Sequence, residues 1–184
     1  GFFGANINDP EFHELLIRGF EYGCFCPVMR LHGYRWPLQP QYGTTGGATC
    51  VSGAPNEVWS YTDQVCEILS DYLRLRERML PYITELMEEA HEKGTPVMRP
   101  LFYDFPEDKE SWNVETEYMF GPKVLVKPIT DADARETDVY LPGGASWTNA
   151  WTGETFEGGQ KVHVAAPIEQ IPLFTRDGYK LPMK

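Results

Sequence analysis

Arg30 and His32 stand two residues apart in the run Cys26-Pro27-Val28-Met29-Arg30-Leu31-His32-Gly33. On a strand, that spacing puts both side chains on one face. Arginine offers a planar fork of donors, and neutral histidine offers one donor and one acceptor. Together they suit a neutral ligand rich in hydroxyls, such as a sugar. The same pair also fits a structural role, with the arginine paired to a carboxylate and the imidazole capping a core. Its place in the chain bears on the choice. The run follows an amphipathic segment ending at Gly23 and precedes a long loop rich in Gly and Pro. That is the layout of a buried strand, and in a barrel of alternating strands and helices ligands are handled at the C-terminal strand ends.

Other candidates for chemistry are weaker. Asp104 and Asp108, with Glu107 between them, imitate the carboxylate pair that glycoside cleavage needs. They sit in an Asp-Phe-Pro-Glu-Asp context where carboxylates form turns, and Asp9 reads as a helix cap. No catalytic carboxylate is therefore assigned. The glycines from Gly43 to Gly53 lack the Lys-Ser or Lys-Thr of a phosphate cradle, and no serine lies in a Gly-x-Ser-x-Gly elbow. Cys24, Cys26, Cys50 and Cys66 do not have zinc-site spacing, so no metal and no cofactor is expected. All four read as reduced, buried, small apolar residues, which predicts a cytoplasmic setting.

The elements that position Arg30 and His32 follow from local signals. Asp9, Pro10 and Glu11 open a helix whose apolar stripe is Phe12, Leu15, Leu16 and Phe20, and Gly23 closes it. Cys24 to Leu31 is the expected strand. Residues 33 to 60 form a long loop carrying Tyr34, Trp36, Tyr42 and Trp59. Residues 61 to 93 are helical, with a stripe of Val65, Ile68, Leu69, Tyr72, Leu73 and Leu80, broken or bent at Pro81 and stopped by Gly94. Thr95 to Tyr103 is a second strand candidate. After about residue 116 short β-rich runs alternate with turns, the pattern of a small antiparallel sandwich. The fold class is thus α/β plus all-β: the C-terminal portion of a TIM (β/α)8 barrel over residues 1–116, then a β-sandwich over 117–184.

Composition narrows the partners. At 184 residues the chain can bury a substantial core, and its net charge is −11. That balance argues against nucleic acid and against an anionic membrane surface. There is no transmembrane run and no signal-like segment. Aromatic residues are frequent; they fill cores and also stack on sugar rings. The opening Gly1-Phe2-Phe3-Gly4 reads as a piece of a longer polypeptide.

Taken in order, the segments resemble glycoside hydrolase family 31, the α-glucosidase and α-xylosidase family. Gly1-Phe2 looks like the tail of the family's Asp-Ile-Gly-Gly-Phe segment. Asn8 to Phe12, Glu21-Tyr22-Gly23 and Pro27 to Gly33 follow in family order. So do Pro81-Tyr82-Ile83, Ala90 to Gly94, Pro96 to Leu101, Asp104 to Asp108, Tyr118 to Pro122, Val139 to Pro142 and Ile171 to Phe174. The resemblance implies a retaining barrel glycosidase whose two catalytic aspartates lie on earlier strands, without counterparts here. It implies that Phe2, Arg30 and His32 line the subsite for the non-reducing sugar. The implied partners are a carbohydrate substrate and the remainder of the parent chain, with self-association of the fragment also expected. Two positions depart from the family pattern: Gly19 follows Arg18 where a Trp is usual, and Lys127 replaces a small or apolar residue. Lys127 is expected at an edge, or with its ammonium reaching solvent. Two other classes fit the same segments. One is a carbohydrate-binding or scaffold module using exposed Trp147 and Trp151. The other is a barrel transglycosylase or lyase acting on sugars.

Overall fold

The computed structural model describes residues 4–31, 35–38 and 54–183. Helix α1 spans Pro10–Cys24, where Asp9 accepts from the Glu11 amide at 3.0 Å and Pro10 opens the first turn. Phe12, Leu16, Ile17 and Phe20 are its buried apolar face, while Leu15, expected in that stripe, is half exposed. Helices α2 (Asp63–Arg78) and α3 (Leu80–Lys93) meet at Met79. The join lies two residues before Pro81, which has no amide to continue the helical ladder. The Thr62 side chain caps α2 at the Val65 amide, and Gly94 ends α3 with a left-handed φ of 71°. On α2 the buried row runs Val65, Ile68, Leu69, Tyr72 and Leu75; Leu73 and Leu80 face outward.

Strands β1 (Ala5–Asn6) and β2 (Arg35–Trp36) pair in parallel, and among the described residues this is the one parallel ladder. The barrel is therefore not complete here. The remaining strands are β3 (Met98–Arg99), β4 (Tyr118–Phe120), β5 (Val124–Val126), β6 (Glu136–Leu141), β7 (Ser146–Asn149), β8 (Thr155–Glu157), β9 (Gln160–Ala165) and β10 (Leu173–Arg176). Six of them form an antiparallel sheet in the order β3-β4-β5-β10-β7-β8, while β6 and β9 form a separate antiparallel pair.

Alternation along the central strands explains the layering. Phe120, Val124, Val126 and Leu173 point into a core shared with all three long helices. Met119, Leu125 and Phe174 point the other way and meet Val139, Leu141, Val162 and Val164 of the β6–β9 pair. The large sheet is covered on both faces, so β5 reads Val-Leu-Val with no polar alternation.

Three expectations need correction. Cys24 to Leu31 is not a ladder-paired strand: Cys24 ends α1, and the residues after it turn and then run on without regular structure. The carbonyls of Cys24, Cys26 and Pro27 accept from Arg76, and that of Phe25 accepts from the Tyr118 hydroxyl. With its acceptors taken by side chains, the segment forms no ladder there. Thr95 to Tyr103 shortens to β3, because Pro100 follows it and starts the four-residue helix Leu101–Asp104. Of the cysteines, Cys24 is buried but Cys26 and Cys66 are half-buried; these three are free thiols, and Cys50 lies outside the described residues.

Buried polar groups tie the helices to the sheets. The Arg18 guanidinium pairs with Glu21 at 3.0 Å and donates to the carbonyls of Ala134, Ala166, Pro167 and Gln170. Lys127 follows β5, its ammonium 2.6 Å from Thr116 Oγ1 and 3.7 Å from a Glu117 carboxylate oxygen.

Candidate functional site

Arg30 is exposed at the far end of the segment that leaves α1. Burial alternates along it: Val28 and Arg30 are exposed, while Met29 and Leu31 pack on the helical core. An extended segment with one anchored face does this, and it turns the Arg30 side outward. Both sides of the segment, Val28 and Arg30 as well as Met29 and Leu31, border a groove of about 340 Å³ whose lining also includes Leu16 and Arg35. His32 and Phe2, the other two expected sugar-binding residues, lie outside the described residues.

The groove holds a second guanidinium that the sequence reading did not single out. Arg35 on β2 is fully buried, its Nε 3.2 Å from the Tyr61 hydroxyl and its charge 5.0 Å from the Phe12 ring centroid. Tyr61 in turn donates to Asn56 Oδ1 at 2.6 Å. The available signal was an arginine between two aromatics, Tyr34 and Trp36, early in the long loop. Of the loop's aromatics, Trp36 and Trp59 are exposed, and Tyr34 and Tyr42 lie outside the described residues.

Other polar groups of the chain have structural duties. Asp9 caps α1, and Asp104 pairs with Arg99 at 3.0 Å. Burial pushes the Asp104 carboxyl above its ordinary pKa. For Asp108 burial acts in the same direction, but bonds from the Tyr140 hydroxyl and the Gly143 amide, each 2.7 Å, outweigh it and leave the pKa lowered. Glu107 is exposed. No carboxylate lines the groove among the described residues. Burial also pushes the Cys24 thiol up to about 12 and raises Cys26, so both stay protonated near neutral pH and are poor nucleophiles. Among the described residues no group of three or more His, Cys, Asp or Glu is placed to hold a metal ion. Nor is any described helix long and apolar enough to cross a membrane.

Trp147, expected to be exposed, is fully buried, and its Nε1 donates to the Pro142 carbonyl at 2.9 Å. Trp151 is half-buried, its Nε1 bound to the Ile171 carbonyl at 2.7 Å. Trp147 therefore offers no stacking face, and the case for a sugar-binding module resting on these two indoles is weakened.

The described part is thus a helical portion with one short parallel strand pair, packed on an antiparallel two-sheet portion. Comparison with known families names it. Residues 1–86 match the glycosyl hydrolases family 31 TIM-barrel domain, and residues 94–181 match the glycosyl hydrolase family 31 C-terminal domain. The chain belongs to glycoside hydrolase family 31. A crystal structure of a family 31 α-xylosidase from a soil metagenome, complexed with xylose, superposes with a TM-score of 0.92 at 48% identity, covering 98% of this chain and 27% of that one. The α-xylosidase of Saccharolobus solfataricus is 35% identical over 183 residues, and alpha-glucosidase 2 of Bacillus thermoamyloliquefaciens is 35% identical over 179. These alignments take in 100% and 97% of this chain. The chain spans 23% and 20% of the length of those two relatives.

Proposed function

We propose that the chain is part of a retaining α-glycosidase that cleaves the O-glycosidic bonds of α-xylosides or α-glucosides, and that it contributes sugar-holding residues rather than the catalytic carboxylates. The observation that carries this reading is Arg30, turned outward beside a groove in a chain whose first half matches the family's barrel domain. Arg30 and His32 hold the hydroxyls of the non-reducing sugar, and Phe2 lines the same subsite. Of the two substrate classes, the 48% identity to a xylose-complexed α-xylosidase favours xylosides.

The chemistry is a double displacement. One carboxylate of the parent chain attacks the anomeric carbon while a second protonates the departing oxygen; the second then activates water, which releases the sugar. Hydrogen bonds from Arg30 and His32 contribute to rate by tightening as the ring moves toward the transition state. A panel of aryl α-glycosides offered to the parent polypeptide tests this. Release from the α-xyloside or α-glucoside, lost in Arg30→Ala, is expected. Release from neither would sink the reading.

A further inference from the structure

The carbonyls of Cys24, Phe25, Cys26 and Pro27 form an unbroken row of acceptors, and a side chain takes each one. Arg76 on α2 supplies three. Its Nη1 donates to Cys24 O at 2.6 Å and to Cys26 O at 2.5 Å, and its Nη2 donates to Pro27 O at 2.9 Å. The Tyr118 hydroxyl on β4 donates to Phe25 O at 2.9 Å. Arg30 follows three residues after the last of these carbonyls.

Arg76 differs from its neighbours on the helix. Arg74 is exposed and pairs with Asp71 at 2.7 Å, and Arg78 donates to the carbonyls of Pro182 and Met183. Helix α2 has its own cap and its own buried face, neither of which involves Arg76. Arg76 is half-buried, and every hydrogen bond of its guanidinium goes to the one segment that leads to Arg30. Bonds from a charged donor are shorter and stronger than neutral ones, and a planar fork reaches several carbonyls at once where an ammonium acts as a point.

We infer that Arg76 is a positioning residue for sugar binding: it fixes the backbone from which Arg30 extends and touches no substrate itself. The inference rests on the reading that Arg30 holds sugar. A segment that turns without regular structure has no ladder to set its register, so the arginine takes that role. Displacing a substrate-holding group by about 1 Å is enough to cost a large factor in rate, up to about a hundredfold.

A double-mutant cycle in the parent polypeptide tests it, with kcat/KM on the aryl α-glycoside that the enzyme hydrolyses. Arg76→Met is expected to lower kcat/KM about tenfold in the wild-type background and by a clearly smaller factor in the Arg30→Ala background, because one of the two sugar-holding groups that follow the anchored backbone is then gone. A merely structural arginine would cost the same factor in both backgrounds, and that additivity would overturn the inference while leaving the sugar-site reading intact. An Arg30→Ala enzyme with unchanged kcat/KM would overturn the reading and the inference together. Should Arg76→Met fail to fold, Arg76→Lys, which keeps the charge and loses the fork, is run through the same cycle and judged by the same criterion.

Discussion

Tyr72 on α2 and Glu21 on α1 meet in the interior, the tyrosine hydroxyl 3.1 Å from Glu21 Oε1. The same hydroxyl lies 3.1 Å from the Glu169 carbonyl and accepts from the Ile171 amide at 3.0 Å. One oxygen thus joins two helices to the loop that leads into β10. Glu21 is held from its other side by Arg18, which also serves four carbonyls of residues 134 and 166–170. Removing the hydroxyl in Tyr72→Phe leaves the Ile171 amide without its acceptor and is expected to cost about 1–3 kcal/mol in urea denaturation. Arg18→Met strands a buried carboxylate and several carbonyls at once, and about 3–5 kcal/mol is expected. Equal costs for the two variants would contradict this ranking.

Glu117 gives a pH dependence of defined sign. Burial raises its pKa from 4.5 to about 7, against the opposing pull of the Tyr140 amide and Lys127. A carboxyl with a raised folded-state pKa binds its proton more tightly folded than unfolded. Its contribution to stability is therefore fully present below about pH 4.5 and is lost as pH rises through about 7. Glu117→Gln keeps an acceptor for the Tyr140 amide and cannot titrate. The stability difference, wild type minus variant, should fall by on the order of 2–3 kcal/mol between those two pH values. A flat difference across that window would mean that Glu117 titrates normally. Glu21, raised to about 7 mainly by burial, obeys the same sign.

Gly121 sits in the turn between β4 and β5 with φ of 61°, directly over α3. A Cβ there would press into the Tyr82 hydroxyl and both Leu86 methyls. That hydroxyl is already committed: it donates to the Phe120 carbonyl at 2.9 Å and accepts from the Lys123 amide at 3.3 Å. Gly144 also has positive φ, 84°, but nothing lies within 4 Å of its added Cβ. Gly121→Ala should therefore cost about 2–4 kcal/mol, from overpacking added to backbone strain, and Gly144→Ala about 1 kcal/mol from strain alone. Thermal melts of the two variants check the ordering.

Some of this architecture is local and therefore readable from the chain. The Asp9 cap with Pro10 at the first helical position, the Gly94 stop and the proline at 81 near the join are readable because each acts on backbone within one turn. Other features depend on distant partners. Whether Leu73 or Leu75 faces inward is set by how α2 lies on α1, which no helical period reveals. The apolar run from Cys24 to Leu31 has the composition of a buried strand, but its carbonyls go to Arg76, about fifty residues on, and sequence carries no sign of that pairing. Trp147 lies on a strand with one face turned inward, and only the β6–β9 cover makes that face interior. The outward position of Arg30 was legible because alternation along an extended run survives whether the segment is a strand or irregular. Arg35 was not, since an arginine between two loop aromatics is not distinctive.

The sugar-holding role proposed for Arg30 and His32 has a direct test in solution. His32→Ala in the parent enzyme is expected to lower kcat/KM by an amount equivalent to about 2–4 kcal/mol, the range for a well-placed polar group that tightens in the transition state. Losing a group that binds the ground state and the transition state equally raises KM and spares kcat, whereas losing one that tightens in the transition state lowers kcat. Arg30→Lys separates charge from geometry: the ammonium keeps the charge but cannot present two parallel donors, so most of the Arg30→Ala loss should remain. If Arg30→Lys instead restores wild-type kcat/KM, a positive charge at that position is all the reaction needs, and the hydroxyl-holding role assigned to the guanidinium fork fails.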